Sequence, residues 1–158
     1  MKEYAFLFAG LPEEELAALI SSKVKDITTF LSELGLREQP ALAQPLKVAY
    51  HDACHLAHAQ GIREAPRALI KSIQGVSLIE IAESDLCCGS AGTYNLEQPE
   101  IAAQLGMRKA ENIRRSGAEA VVMGNIGCMI QIRKYLSATA APLPVYHTIE
   151  LLDQAYRS

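Results

Sequence analysis

The sequence predicts an α/β domain of three layers: a four-stranded, mostly parallel sheet with helices on both faces, preceded by a helical N-terminal extension. Two observations predict it. From about residue 46 onward, short apolar stretches of strand period alternate with stretches of helical period, the order that produces parallel strands joined by right-handed crossovers. The chain is also sized for one core, with 158 residues, 49% hydrophobic content and no repeat, low-complexity tract or second boundary.

The elements follow in order. From Leu11 to Leu36, apolar Leu16, Leu19, Ile20, Val24, Ile27, Phe30, Leu31 and Leu34 recur at the three-and-four spacing of an amphipathic helix. Pro12 and the acidic run Glu13 to Glu15 suit its first turn, and Gly35 ends it. Gln39 to Pro45 holds two prolines and reads as a linker, so residues 1–45 form the extension and residues 46–158 the main unit. Leu46 to Tyr50 is the first strand, Pro66 to Ile73 a helix broken at Gly75, and Val76 to Ala82 an alternating, half-buried strand. After a Gly-rich turn at Cys87 to Gly92, Pro99 to Ser116 has a helix's proline start, apolar stripe and glycine stop at Gly117. Ala118 to Met123 is a strand, Met129 to Ser137 a short helix, Leu143 to His147 the last strand and Thr148 to Tyr156 a closing helix.

Charge and motifs narrow the function classes. A net charge of -3 supplies no basic surface for a phosphate backbone, which excludes nucleic acid as the expected partner. No window approaches the length of a membrane span, and MKEYAFLFAGLPEEEL turns acidic too early for a signal peptide. The expected compartment is therefore cytoplasmic, where four cysteines are not read as a disulfide framework. G-x-G-x-x-G after the first strand, a Walker A lysine loop and a G-x-S-x-G elbow are all absent, so the chain alone is expected to perform no substrate chemistry.

Each cysteine falls just after a predicted strand: Cys54 after the first, Cys87 and Cys88 after the second, Cys128 after the third. In a parallel sheet these loops share the carboxyl edge, so the four thiols are expected to converge. A single buried cysteine is usually an inert small hydrophobe, but loops are seldom the core, and four in such loops point to metal or cluster ligation. Thiolates are soft ligands that select iron-sulfur clusters or zinc. Gly89 and Gly92 would let backbone amides approach a cluster and hydrogen-bond its sulfurs, or would simply make a tight turn. Zinc is the alternative metal, disfavoured because paired C-x2-C knuckles are missing.

The remaining polar residues near these loops are weaker signals. His55 and His58 read as outer donors, surface residues or the start of a ligand face, with surface favoured for His58; His51 flanks the loop, and Asp52 reads as a turn or helix cap. His147 ends the fourth strand on the same edge, while Met107, Met123 and Met129 read as packing.

At these residues the chain resembles a known family. HDACHLAHAQGIREAPRALI around Cys54, CCGSAGTYNLEQPEIAAQLGMRKAENI from Cys87 and GNIGCMIQIRKYL around Cys128 are similar to the cysteine-rich CCG domain found in heterodisulfide reductase and in related electron-transfer proteins. The wording is most similar to the C-terminal domain of the glycolate oxidase iron-sulfur subunit, from about Leu46 to the C-terminus. The resemblance implies an iron-sulfur protein, with a [4Fe-4S] cluster, that passes electrons from a flavin subunit oxidising glycolate to glyoxylate toward an acceptor. It implies that Cys54, Cys87, Cys88 and Cys128 bind the cluster, that Gly89 is the glycine of the motif, and that the partners are a flavin-containing subunit and other iron-sulfur domains. Attachment at the periphery of the inner membrane would then come through partners. There are two departures. The family closes with C-x2-C, but the position three after Cys128 is Gln131, and the ferredoxin-like cysteine runs of the full subunit are absent, so a fragment or truncated product is expected. The competing expectations are a docking domain with a structural zinc or empty cysteine site, and a thiol-disulfide enzyme using adjacent Cys87 and Cys88.

Overall fold

A computed structural model describes residues 1–137 and 142–158. The N-terminal segment folds as three short helices, α1 (Tyr4–Leu7), α2 (Glu14–Lys23) and α3 (Ile27–Leu34), where one long amphipathic helix was expected. The break has a local cause. Val24 is extended, and Asp26 starts a new helix by accepting from the N–H groups of Thr28 at 2.9 Å and Thr29 at 3.4 Å. Leu31 and Leu36 pack against the domain, while Leu16, Leu19, Phe30 and Leu34 are exposed, so the predicted stripe is buried only in part.

Strand β1 runs over Ala41–Tyr50 and claims most of the segment expected to be a linker. Pro45 suggests a linker because it cannot donate to a ladder; the strand tolerates it through an irregularity in pairing between Ala41 and Leu46. The chain continues through α4 (Cys54–Ala57), α5 (Glu64–Lys71), β2 (Gln74–Ile79), α6 (Tyr94–Glu97), α7 (Pro99–Arg115), β3 (Ala120–Met123), α8 (Ile126–Ser137), β4 (Val145–His147) and α9 (Thr148–Arg157). Strand β2 begins two residues earlier and ends three earlier than its alternation suggested, and Gly75 lies inside it rather than breaking the chain before it. Pairing with β1 stops at Ile79, and beyond it the chain bends away through Glu83, which has φ 54°.

The four strands are all parallel in the order β2-β1-β3-β4. Because successive side chains leave a strand on opposite faces, β1 feeds two cores. Val48 and Tyr50 pack with Leu69 and Ile70 of α5 and Leu151 of α9, while Ala49 packs with Ala110 and Ile113 of α7 and Ile132 and Leu136 of α8. That is the expected three-layer arrangement, and it fixes α4 and α8, the helices bearing two of the cysteines, at the carboxyl ends of β1 and β3.

Candidate metal centre

Connections from β1 and β3 leave in opposite directions, β1 toward β2 at one edge and β3 toward β4 at the other. Such a switch point leaves a crevice beyond the strand ends. His51 N–H extends the β1–β3 pairing by donating to Val122 O at 3.0 Å, so the chain enters the crevice rigidly. Cys54 opens α4 and is half-buried. Cys128 lies in the first turn of α8, where Asn125 Oδ1 accepts its N–H at 2.9 Å and caps the helix.

Cys87 and Cys88 come from β2 at the sheet edge and reach the crevice because their loop folds over the end of β1. Ser84 O accepts from Asp52 N–H at 3.2 Å, His51 Nδ1 at 3.2 Å and Lys109 Nζ at 3.1 Å. Lys109, fully buried on α7, also donates to Glu83 O. Arg108 and Asn112 hold the Glu83 carboxylate, with bonds of 2.8 Å from Arg108 Nε and 2.8 Å from Asn112 Nδ2. One face of α7 thus clamps the loop.

The four thiols meet there in two interacting pairs. Cys88, 2% exposed, accepts a hydrogen bond from Cys128, 5% exposed, and Cys87 interacts with Cys54. Cys128 also feels the charges of Cys54 and Cys87, so all four share one electrostatic environment. Adjacent Cys87 and Cys88 serve different partners, as divergent side chains from one backbone must. The bond from Cys128 holds Cys88 well below the usual thiol range against the opposing effect of burial, with help from the neighbouring His51 ring and the Ser90 amide. Facing that thiolate, Cys128 is pushed far up. Burial raises Cys87, opposed by the Gly89 N–H, which donates to its Sγ at 3.3 Å.

Gly89 is required twice over. Its φ is +86°, and a Cβ there would lie 2.5 Å from Ala102 O on α7. Gly92 has φ +53° with open space around it and sits exposed, the signature of a tight turn. Asp52 does not cap α4: its two oxygens accept from Arg67 Nη1 and Nη2 at 2.7 Å each, and Arg67 also pairs with Glu80. Burial would raise this carboxyl, but the Arg67 hydrogen bonds and charge outweigh it and hold it below its ordinary value. Gln131, where the family carries its fifth cysteine, donates to Ala102 O at 3.2 Å in the seam between α7 and α8. His55 and His58 are exposed, and His147 caps α9 through Nδ1 on Ile149 N–H.

His51 is 1% exposed. Because its Nδ1 faces a carbonyl, that nitrogen carries the proton and Nε2 is left as the bare acceptor. No hydrogen-bond partner meets Nε2 among the described residues, yet it lies with Cys88 Sγ and Cys128 Sγ inside a set of donors all within 4.8 Å of one another. The sequence reading ranked His51 too low and passed over Lys109. Lys109 was findable, since its spacing from Gly106 and Ile113 puts it on the buried face of α7.

The donor set asks for a cation. The neighbouring Cys88 and burial push Cys128 up and burial raises Cys87, so these thiols keep their protons, whereas bound metal removes thiol protons and balances the charge. The residues fit a thiolate-bound centre.

The fold and site together define a cysteine-rich α/β domain, one that draws four thiols from three strand-to-helix loops toward the switch point at the carboxyl edge of the sheet. Within that class, the model of the CCG cysteine-rich domain matches residues 48–133, more than half of the chain, which belongs to this family. Lactate utilization protein A of Oceanobacillus iheyensis is 30% identical over 155 residues, covering 97% of this chain and 63% of that protein. The protein of that name in Geobacillus thermodenitrificans is 29% identical over 97% of this chain and 64% of its own length. One component of the fumarate reductase (CoM/CoB) of Methanothermobacter marburgensis is 36% identical over 140 residues, 87% of this chain and 28% of that component. The chain thus spans a little under two thirds of the lactate utilization proteins it matches.

Proposed function

We propose that Cys54, Cys87, Cys88 and Cys128 hold an iron-sulfur cluster of the [4Fe-4S] type, and that the domain passes electrons from a flavin-containing subunit oxidising a short 2-hydroxy acid toward an acceptor. What supports this is that the thiols interact in pairs beyond the strand ends, Cys88 with Cys128 and Cys87 with Cys54, and that the charges of Cys54 and Cys87 reach Cys128. When bound, the cluster supplies a one-electron carrier whose potential follows its charge and hydrogen bonds. The chain's own residues set that environment: the Gly89 and Ser90 amides donate to sulfur, Lys109 places a positive charge behind the site, and Gly92 turns the loop. Half-buried Cys54 and Cys87 form the rim nearest solvent, the side from which electrons would arrive.

Glycolate and lactate are the two candidate acids. The motif wording favours glycolate and the names of the relatives above favour lactate; oxidation of the acid is assigned to the flavin-containing partner. Other iron-sulfur domains would accept the electrons, and membrane association would be peripheral through them.

Anaerobic reconstitution with iron and sulfide should give broad visible absorbance that bleaches when a flavin-dependent 2-hydroxy acid dehydrogenase is supplied with glycolate or lactate. Colourless protein, or unchanged electron transfer in a folded Cys87→Ser/Cys88→Ser variant, would overturn the reading. One observation favours a second reading: His51, Cys88 and Cys128 are spaced closely enough to hold a single zinc ion in a docking domain. Zinc without sulfide in anaerobically purified protein supports that one instead.

A further inference from the structure

We propose that His51 is a fifth ligand of the metal centre, supplying through Nε2 the donor that the chain lacks at Gln131. This rests on the cluster reading above and adds to it a nitrogen ligand.

Four independent features converge on His51. A buried acceptor left without a partner costs about 1–3 kcal/mol, and His51 Nε2 is such an atom at the floor of the crevice. The metal-ligating atoms beside it are the sulfurs of Cys88 and Cys128, all within 4.8 Å of one another, a gap close to that spanned by two metal–ligand bonds of about 2.0–2.3 Å. Nδ1 is tied to Ser84 O at 3.2 Å, the arrangement by which metal-bound histidines are fixed in tautomer and orientation. Ser84 O is itself held by Lys109 and the Asp52 amide, so the ring has little freedom to turn aside.

The competing donors are placed elsewhere. Gln131 is committed to Ala102 O. His55 is exposed with its Nδ1 3.3 Å from Asn125 Nδ2, His58 is exposed, and His147 caps α9. Imidazole suits iron as well as zinc, and histidine in place of cysteine raises a cluster's potential. A mixed nitrogen and sulfur shell would therefore set this centre apart from an all-thiolate one.

The test is pulsed electron paramagnetic resonance on the full chain, reconstituted anaerobically with iron and sulfide, reduced with dithionite and labelled with 15N at histidine alone. We expect a strong 15N coupling of the size given by a directly bonded nitrogen. It should persist in the His55→Gln/His58→Gln/His147→Asn protein, where His51 is the sole histidine, and vanish in His51→Gln while visible absorbance is retained. Because the triple variant alters exposed or capping residues, the assignment survives even if His51→Gln does not fold. A paramagnetic cluster with no strong histidine coupling overturns this inference and leaves the cluster reading standing. Failure to assemble any cluster overturns both.

Discussion

Replacing Gly89 with alanine separates the two reasons a glycine can sit beside Cys88. The new methyl would lie 2.5 Å from Ala102 O, 2.9 Å from Ala102 Cα and 3.0 Å from its carbonyl carbon. All three are backbone atoms of α7, held by Ala102 N–H on Gln98 O at 3.0 Å and by Gln131 on Ala102 O at 3.2 Å, so no rotamer change relieves the overlap. Overpacking of this kind costs about 1–3 kcal/mol. A non-glycine residue forced to φ +86° adds about 1–3 kcal/mol, for an expected loss of about 2–6 kcal/mol in metal-free protein. Gly92→Ala is the internal control, with φ +53° and open space, and should cost only about 1–2 kcal/mol. Urea unfolding with comparison of slopes as well as midpoints measures both. A Gly89→Ala loss no larger than that of Gly92→Ala would refute the close packing of the CCG turn on α7.

Four further outcomes follow from the same geometry. Asp52 has its folded pKa held below the ordinary 3.8, so its contribution is complete above that value and is lost as pH falls through the lower folded value. Asp52→Asn should remove that part of the acid dependence of unfolding, and Arg67→Leu, which leaves the carboxylate buried and unpaired, should cost about 3–5 kcal/mol at neutral pH in thermal or urea unfolding. Lys109→Met removes the buried positive charge behind the centre and should lower the cluster's midpoint potential in a redox titration by on the order of 50 mV, about tenfold for one electron. Asp26→Ala deletes the α3 cap and should cost about 1 kcal/mol while leaving metal uptake unchanged.

The sheet and its order of elements were legible because their signals are periodic: β3, α7 and α9 fall within two residues of their expected ends. Convergence of the cysteines was legible for a topological reason, since parallel strands send every strand-to-helix loop to one edge. Other features depended on contacts remote in sequence. Pro45 and the proline at 40 read as linker until β2 is present to pair with the strand. Asp26 reads as one more polar residue in a helical stripe unless the extended Val24 before it is known. His51 shows no periodic signal at all; its importance comes from Ser84, 33 positions away, which fixes the ring, and from the sulfurs of Cys88 and Cys128. Asp52 reads as a cap because its partner, Arg67, lies on a different helix.

The central claim is that the crevice binds iron and sulfide on its thiols. Iron, zinc and acid-labile sulfide should be quantified per chain in protein purified without oxygen, alongside Cys87→Ser/Cys88→Ser prepared in parallel. Iron and sulfide in equal amounts in the natural sequence, and lost from the variant, is the predicted result. Zinc without sulfide, or an iron content that the double substitution leaves unchanged, would contradict it.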